Sequence, residues 1–320
     1  MAHQPSSPET LSGAPSEFAD TVASAPPLQD SGVPEFAASG DEDDPDAQDE
    51  PTLSHIGRYA LKRPLGVGGL GTVYEAWDPM LSRTVAVKTL QFAAESPLRA
   101  SLDGLFLNEA RAIAGLNHPH IVTVHDAGLS PQGVYIAMER LHGRDLRQAL
   151  AHGWRPSPAA AAQLTRRVAD ALAYAHARGV IHCDIKPGNI FLSNKGKPTV
   201  LDFGIARVAH GAAVPALDGV VAGSPHYLAP EQLTGIAFDE RADIYALGVV
   251  LYEMLTGRKA FGGDSLEQIT SAVLHGNPAP ALTAEERGRM RERREERGLD
   301  GGGGRGGFGP GGFGPGGPRA

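Results

Sequence analysis

The sequence predicts an α+β protein in which a small β-rich part precedes a larger, mainly helical one. Three observations point there. Tyr59–Leu65, Thr72–Asp78, Thr84–Leu90 and Val134–Met138 are short runs rich in β-branched residues, with alternation that suits strands. A segment opening at Ser157 carries apolar residues at helical spacing, and one opening at Asp243 is nearly apolar all round, as a central buried helix should be. Between them lies one polar loop, His182-Cys183-Asp184-Ile185-Lys186-Pro187-Gly188-Asn189.

Composition confines the ordered part. The chain has 320 residues and a formal net charge of −8, which argues against a nucleic-acid partner for the whole. Residues 1–51 hold twelve acidic side chains and no Lys or Arg, so 1–55 is expected to be a disordered acidic segment. It opens without a basic, apolar leader and is read as no secretory signal. Twelve of the last twenty residues are Gly, and 299–320 is expected to be a flexible tail. The single cysteine, Cys183, excludes an internal disulfide and suits a reducing compartment. No apolar run reaches the ~18 residues of a membrane span, so a cytoplasmic protein is expected. Abundant Arg, Ala and Gly with scarce Lys suit a GC-rich, bacterial genome.

Gly66-Val67-Gly68-Gly69-Leu70-Gly71 lies between the first two strands. Such spacing lets backbone N–H groups approach phosphate oxygens. A dinucleotide-binding turn is the rival, but it needs a helix to follow at once. Here a strand with Val73 and Tyr74 follows, so a hairpin is expected.

Lys88 ends Val85-Ala86-Val87-Lys88 on the third of these strands, where an ammonium needs a carboxylate. Glu109 borders the apolar face of a helix predicted over Phe106–Leu116 and could supply it; the alternative is an ordinary surface pair. His118 and His120 flank Pro119, and a turn is preferred over a metal site because no further ligands cluster nearby. Ser157-Pro158 reads as an N-cap with proline at the first helical position, and Gly179 ends that helix. Asp145 reads as another N-cap. Ser265–His275 is a further helical candidate.

In the loop, a carboxylate at Asp184 precedes an amine by two residues and a carboxamide by five; Asp202-Phe203-Gly204 adds a second carboxylate. A base for a hydroxyl, a cation for phosphate charge and two oxygen ligands for Mg²⁺ suit phosphoryl transfer. These motifs, in this order over about residues 57–275, resemble the eukaryotic-type (Hanks-type) serine/threonine protein kinase family. Lys186, two positions after Asp184, resembles its Ser/Thr-specific branch.

The resemblance implies a two-lobed kinase-like fold over 56–281, with a smaller lobe at 56–140 and a larger one at 141–281. It implies ATP and Mg²⁺ in the cleft and protein Ser/Thr hydroxyls as acceptors. Asp184 would orient the hydroxyl, Lys186 would stabilise transferred charge, and Lys88 would pair with Glu109. Asn189 and Asp202 would hold the metal, and Ser224 would bond Asp184 and Lys186. Val73, Ala86, Met138 and Phe191 would surround adenine, with backbone groups offered by Glu139 and Leu141. Asp145 would accept from a ribose hydroxyl, a role compatible with capping. His182 would be structural, packed on the Asp-Phe-Gly segment, and Asp243 would hold the loop backbone near it.

Two departures stand out. Cys183 occupies the position where relatives controlled by activation-loop phosphorylation carry Arg, and a thiol makes no bidentate contact to phosphate. From Ile205 to Leu228 only Ser224 and Tyr227 carry hydroxyls. Control by phosphorylation of that loop is therefore not expected. Past Pro278-Ala279-Pro280, where family members add helices, the chain becomes Glu/Arg-rich, and 282–298 is expected to be a polar helix with a Thr283/Glu286 capping box. The larger lobe is thus expected to lack its last helices. Glu231 would then stay buried and unpaired, a penalty of ~3–5 kcal/mol. An impaired nucleotide-binding scaffold, or an adaptor acting through its tails, is the alternative to an active enzyme.

Overall fold

The computed structural model describes residues 50–68, 71–90, 107, 110–131, 133–203, 225–281 and 289. Strands dominate the first part. β1 (Ser54–Ile56), β2 (Tyr59–Gly68), β3 (Gly71–Asp78), β4 (Arg83–Leu90), β5 (Val124–Ser130) and β6 (Gly133–Glu139) form one antiparallel sheet in the order β1-β2-β3-β4-β6-β5. Its two faces carry separate apolar clusters. Tyr59, Leu61, Ala76, Val85, Val87, Tyr135 and Ala137 fill one. Ala86, Ala110, Val122, Val134, Ile136 and Met138 fill the other, as the period-two pattern requires.

The Gly-rich segment is a hairpin: Gly68 on β2 pairs with Gly71 on β3, and a strand follows rather than a helix. The four expected strands are present and longer at their ends. β1 and β5 escaped the sequence reading because each is short or interrupted; β5 carries a register shift between Val124 and Asp126. Residues 110–114 are helical, consistent with the helix expected there, and Ala110, Ile113 and Leu116 are buried.

Helices dominate the second part. β7 (Gly143–Asp145) leads into α1 (Leu146–Ala151), whose N-cap Asp145 accepts from Gln148 N–H at 2.7 Å. α2 (Pro158–His176) starts at the Ser157 cap and ends just before Gly179. A small sheet of β7, β8 (Ile190–Ser193) and β9 (Pro198–Val200) carries the polar loop between α2 and β8. Gly143 permits this sheet: a Cβ there would lie 2.1 Å from Leu192 O, at a φ of +143°. α3 (Pro230–Leu233), α4 (Arg241–Thr256) and α5 (Leu266–His275, capped by Ser265) complete the lobe. Leu164, Val168, Leu172, Ile185, Ile190, Leu192, Phe203, Leu247, Val250 and Met254 share its core.

Two expectations need correction. α4, nearly apolar all round, is buried on one side only, for Ile244 is 53% and Leu255 42% exposed. Glu231 is half-buried rather than buried, because α3 is a single short turn at the surface; the penalty for an unpaired carboxylate shrinks accordingly. The Thr283/Glu286 capping box lies outside the described residues.

Candidate active site

The loop between α2 and β8 is hung from one buried carboxylate. Asp243, in the first turn of α4, accepts from the backbone N–H of His182 through Oδ2 and from that of Cys183 through Oδ1, each at 2.8 Å. His176 Nε2, on α2, also lies 2.8 Å from Oδ2. Burial alone would raise the Asp243 carboxyl, but the His176 hydrogen bond, the nearby His182 ring and the two backbone donors hold it below its ordinary value.

His182 is fully buried and spoken for at both ring nitrogens. Nδ1 accepts from the Asp184 N–H at 3.2 Å, so Nε2 carries the proton and donates to Leu201 O at 2.8 Å. Its ring packs on Phe203 with centroids 4.7 Å apart. Neither nitrogen is left for acid–base work.

With the backbone fixed, side chains gather on Asp184. Lys186 Nζ donates to its Oδ2 at 2.6 Å, and Asn189 Nδ2 donates to the same oxygen at 3.0 Å and to Asp184 O at 2.8 Å. Asn189 therefore turns its Oδ1 away, with no hydrogen-bond partner among the described residues. Pro187–Asn189 is a 3-10 turn that makes this reach possible.

Asp202 follows β9 with φ +60°, and Cys183 sits at φ +68°. Non-glycine residues in the left-handed region are strained, and such strain gathers at functional sites. The Asp202 backbone turn presents its Oδ2 to Lys88 Nζ at 2.6 Å. Lys88 is central in the first sheet, opposite Val73 on β3 and Ile136 on β6. Burial favours the protonated Asp202 carboxyl, yet the Lys88 charge and hydrogen bond, with lesser help from His182 and Lys186, hold it below the usual carboxylate range. The described partner of Lys88 is thus Asp202; Glu109 lies outside the described residues, as do Gly69 and Ser224.

The donor set fits a hard divalent cation. Asp202 Oδ1 and Asn189 Oδ1 are both oxygen and both uncommitted among the described residues. Among those residues no cluster of three His, Cys, Asp or Glu exists that could hold a metal alone. One carboxylate and one carboxamide suit Mg²⁺ shared with phosphate oxygens.

Beside Lys88, an apolar patch lines the same face of the sheet. Ala86 and Met138 are buried, and Val73, Leu65, Leu141 and Leu201 pack on them. The sequence reading missed Leu65 and Leu201, although each directly adjoins a motif, at Gly66 and Asp202. Gly66 has open space where a Cβ would stand, and Val67 is 83% exposed. Glu139 leaves β6 with its N–H on Thr123 O at 2.9 Å, while its Oε1 accepts from Thr123 N–H at 2.8 Å. Asp145 has both carboxylate oxygens engaged, by Gln148 N–H and by Arg147 Nη2 at 3.3 Å. Phe191, half-buried on β8, pairs with Asp145 and with Thr199.

His118 and His120 serve the turn between the helical segment and β5. His118 Nε2 meets Asp170 at 3.3 Å, and His120 Nδ1 lies 2.7 Å from Pro198 O. Two other contacts went unread. Gln232 on α3 donates to Cys183 O at 3.0 Å, and Tyr227 donates to Glu253 Oε2 at 2.6 Å; no local spacing announces either pair. Among the described residues no helix is long and apolar enough to cross a membrane.

Known proteins share this arrangement of sequence. A protein of Streptomyces coelicolor, described as a probable serine/threonine-protein kinase, is 42% identical over 214 residues, which are 65% of this chain and 32% of its own. The serine/threonine-protein kinase PknA of Mycobacterium tuberculosis is 40% identical over 237 residues, 72% of this chain and 53% of its own. The serine/threonine-protein kinase PrkC of Bacillus subtilis is 38% identical over 213 residues, 67% of this chain and 32% of its own. The chain spans about a third to a half of the length of these curated relatives. The model of the protein kinase domain matches residues 59–295, beyond the 57–275 over which motifs are legible. The chain belongs to the protein kinase domain family.

Proposed function

We propose that the chain is a bacterial protein kinase that moves the γ-phosphoryl group of ATP onto Ser or Thr hydroxyls of proteins. The observation that carries this reading is two sets of hydrogen bonds, Lys88 on Asp202 and Lys186 with Asn189 on Asp184, whose segments meet where Leu201 N–H donates to Asn189 O at 2.9 Å. Relatives named serine/threonine-protein kinases support it. A scaffold that bound nucleotide without catalysis would have no use for the Asp184 set.

In this reading the adenine lies on the patch of Leu65, Val73, Ala86, Met138, Leu141 and Leu201, and the phosphates lie by the glycine-rich hairpin that pairs Gly68 with Gly71. Lys88 holds the phosphate tail beside Asp202. Asp202 and Asn189 would hold Mg²⁺, which when bound would supply charge neutralisation for the phosphate oxygens. Asp184 accepts or orients the proton of the incoming hydroxyl, whose oxygen forms the new bond to phosphorus. The bond from phosphorus to the bridging β-phosphate oxygen breaks, and ADP leaves with that electron pair. Lys186, fixed on Asp184, stands ready to offset charge on the phosphoryl oxygens. A cytoplasmic setting, where ATP and Mg²⁺ occur together, goes with this reading.

Purified full-length chain incubated with Mg·ATP and a generic protein acceptor should yield phosphoserine or phosphothreonine. Asp184→Asn should lower the rate by about 10²-fold or more. Phosphate incorporation that survives this change at full rate would refute the assignment.

A further inference from the structure

Arg63, Glu75 and Arg140 form an ion cluster around one buried carboxylate, and no role above uses it. The Glu75 side chain, on β3, is 7% exposed. Its Oε1 accepts from Arg63 Nε at 3.1 Å; its Oε2 accepts from Arg63 Nη2 at 3.0 Å and from Arg140 Nε at 2.8 Å. The three residues come from β2, from β3 and from the stretch leaving β6. A buried carboxylate between two guanidiniums is poor value for stability alone, and its best-attested use is to fix geometry.

The cluster stands at the edge of the apolar patch. Glu75 is opposite Ala86, and Ala86 is opposite Met138. Directly opposed residues of antiparallel strands project to one face, as do residues two apart on one strand. Glu75 therefore shares a face with Val73, Ala86 and Met138, and it lies nearer the linker. Arg140 Nη1 in turn donates to the carbonyl oxygen of Leu141, the patch residue expected to meet the base through its backbone. One planar guanidinium thus ties Glu75 to Leu141 O, and only 15% of the Arg140 side chain is exposed.

We propose that Arg140, positioned by Glu75, caps the Leu141 carbonyl and so selects which purine the site accepts. The inference rests on the ATP-binding reading above. Adenine carries only a C–H at position 2 and asks nothing of an acceptor there. A purine with a 2-amino group, guanine included, presents a donor at that edge. With Leu141 O already engaged by a charged donor, the amino group loses water and gains no partner. The class rejected is 2-aminopurine nucleotides.

ATP and the triphosphate of 2,6-diaminopurine riboside differ by that amino group alone and make the test. Their dissociation constants are measured by calorimetry with Mg²⁺ on the full chain, on Arg140→Ala and on Glu75→Gln. Arg140→Ala leaves Glu75 its two contacts to Arg63, and Arg140→Met repeats the measurement with the buried stem retained. The unsubstituted chain should bind the diamino analogue no more tightly than ATP. Arg140→Ala should shift the ratio toward the analogue by about two- to tenfold, the worth of one net hydrogen bond. Glu75→Gln should shift it the same way by less. An unchanged ratio in both Arg140 variants overturns the inference. If the unsubstituted chain binds neither nucleotide, the nucleotide reading itself fails and takes the inference with it.

Discussion

Lys88 Nζ stands 2.6 Å from Asp202 Oδ2, joining two residues 114 positions apart in the chain. One belongs to the strand-rich lobe and the other to the loop after β9. Their contact ties the sheet that carries the apolar patch to the segment that follows the Asp184 loop. Lys88→Met should leave Asp202 without its principal counter-charge and lower phosphoryl transfer by about 10²-fold, read as kcat/KM against Mg·ATP. A variant within twofold of the parent would deny Lys88 a role.

Asp243 should make stability depend on pH in a defined direction. Its folded pKa lies below the ordinary carboxylate value of about 3.9, so its contribution is complete above that pH and is lost as pH falls through the folded value. Asp243→Asn should cost about 3 kcal/mol at pH 7 in urea denaturation, because two backbone N–H groups and His176 lose a charged acceptor. The gap between parent and variant should narrow as pH falls below about 4. A gap of constant size would show that charge is not what Asp243 contributes.

Tyr227 links the segment before α3 to α4. Its hydroxyl donates to Glu253 Oε2, and Lys259 reaches both the hydroxyl and Glu253 Oε1. Burial first, and Glu253 second, hold the phenol well above its ordinary pKa, so it stays protonated. Tyr227→Phe should destabilise by about 1.5–3 kcal/mol, the range for a hydrogen bond to a charged group. Equal midpoints in urea for the two proteins would contradict the link.

Cys183 faces inward. It is 4% exposed, with Sγ 3.6 Å from Ile181 O, and it offers nothing to a phosphate on the activation segment. Phosphatase treatment of active protein should therefore leave its initial rate within about twofold, since no charge-assisted pair is there to lose. Abolished activity, with an essential phosphate mapped between Ile205 and Leu228, would refute this.

Legibility followed physical locality. Four strands of the first sheet, the Ser157 and Asp145 caps and the Gly-rich hairpin were readable because each depends on neighbours a few residues away. The Asp184 set was readable because Asp184, Lys186 and Asn189 share one loop. What sequence hid is what long-range packing decides. Nothing near His176 or Gln232 signals that they brace the loop through Asp243 and Cys183 O. Nor does a helix as apolar as α4 reveal that Ile244 and Leu255 face outward. The Arg63–Glu75–Arg140 cluster joins three strand-level neighbourhoods whose register only the sheet sets.

The most direct test titrates ATP into the full chain with and without Mg²⁺, beside Asp202→Ala and Asn189→Ala. If the five polar side chains serve one metal–nucleotide complex, Mg²⁺ should tighten binding at least about tenfold in the parent, and Asp202→Ala should abolish that gain, as expected for removal of a metal ligand. ATP binding that ignores Mg²⁺ in the parent, or a gain that persists undiminished in Asp202→Ala, would contradict the account.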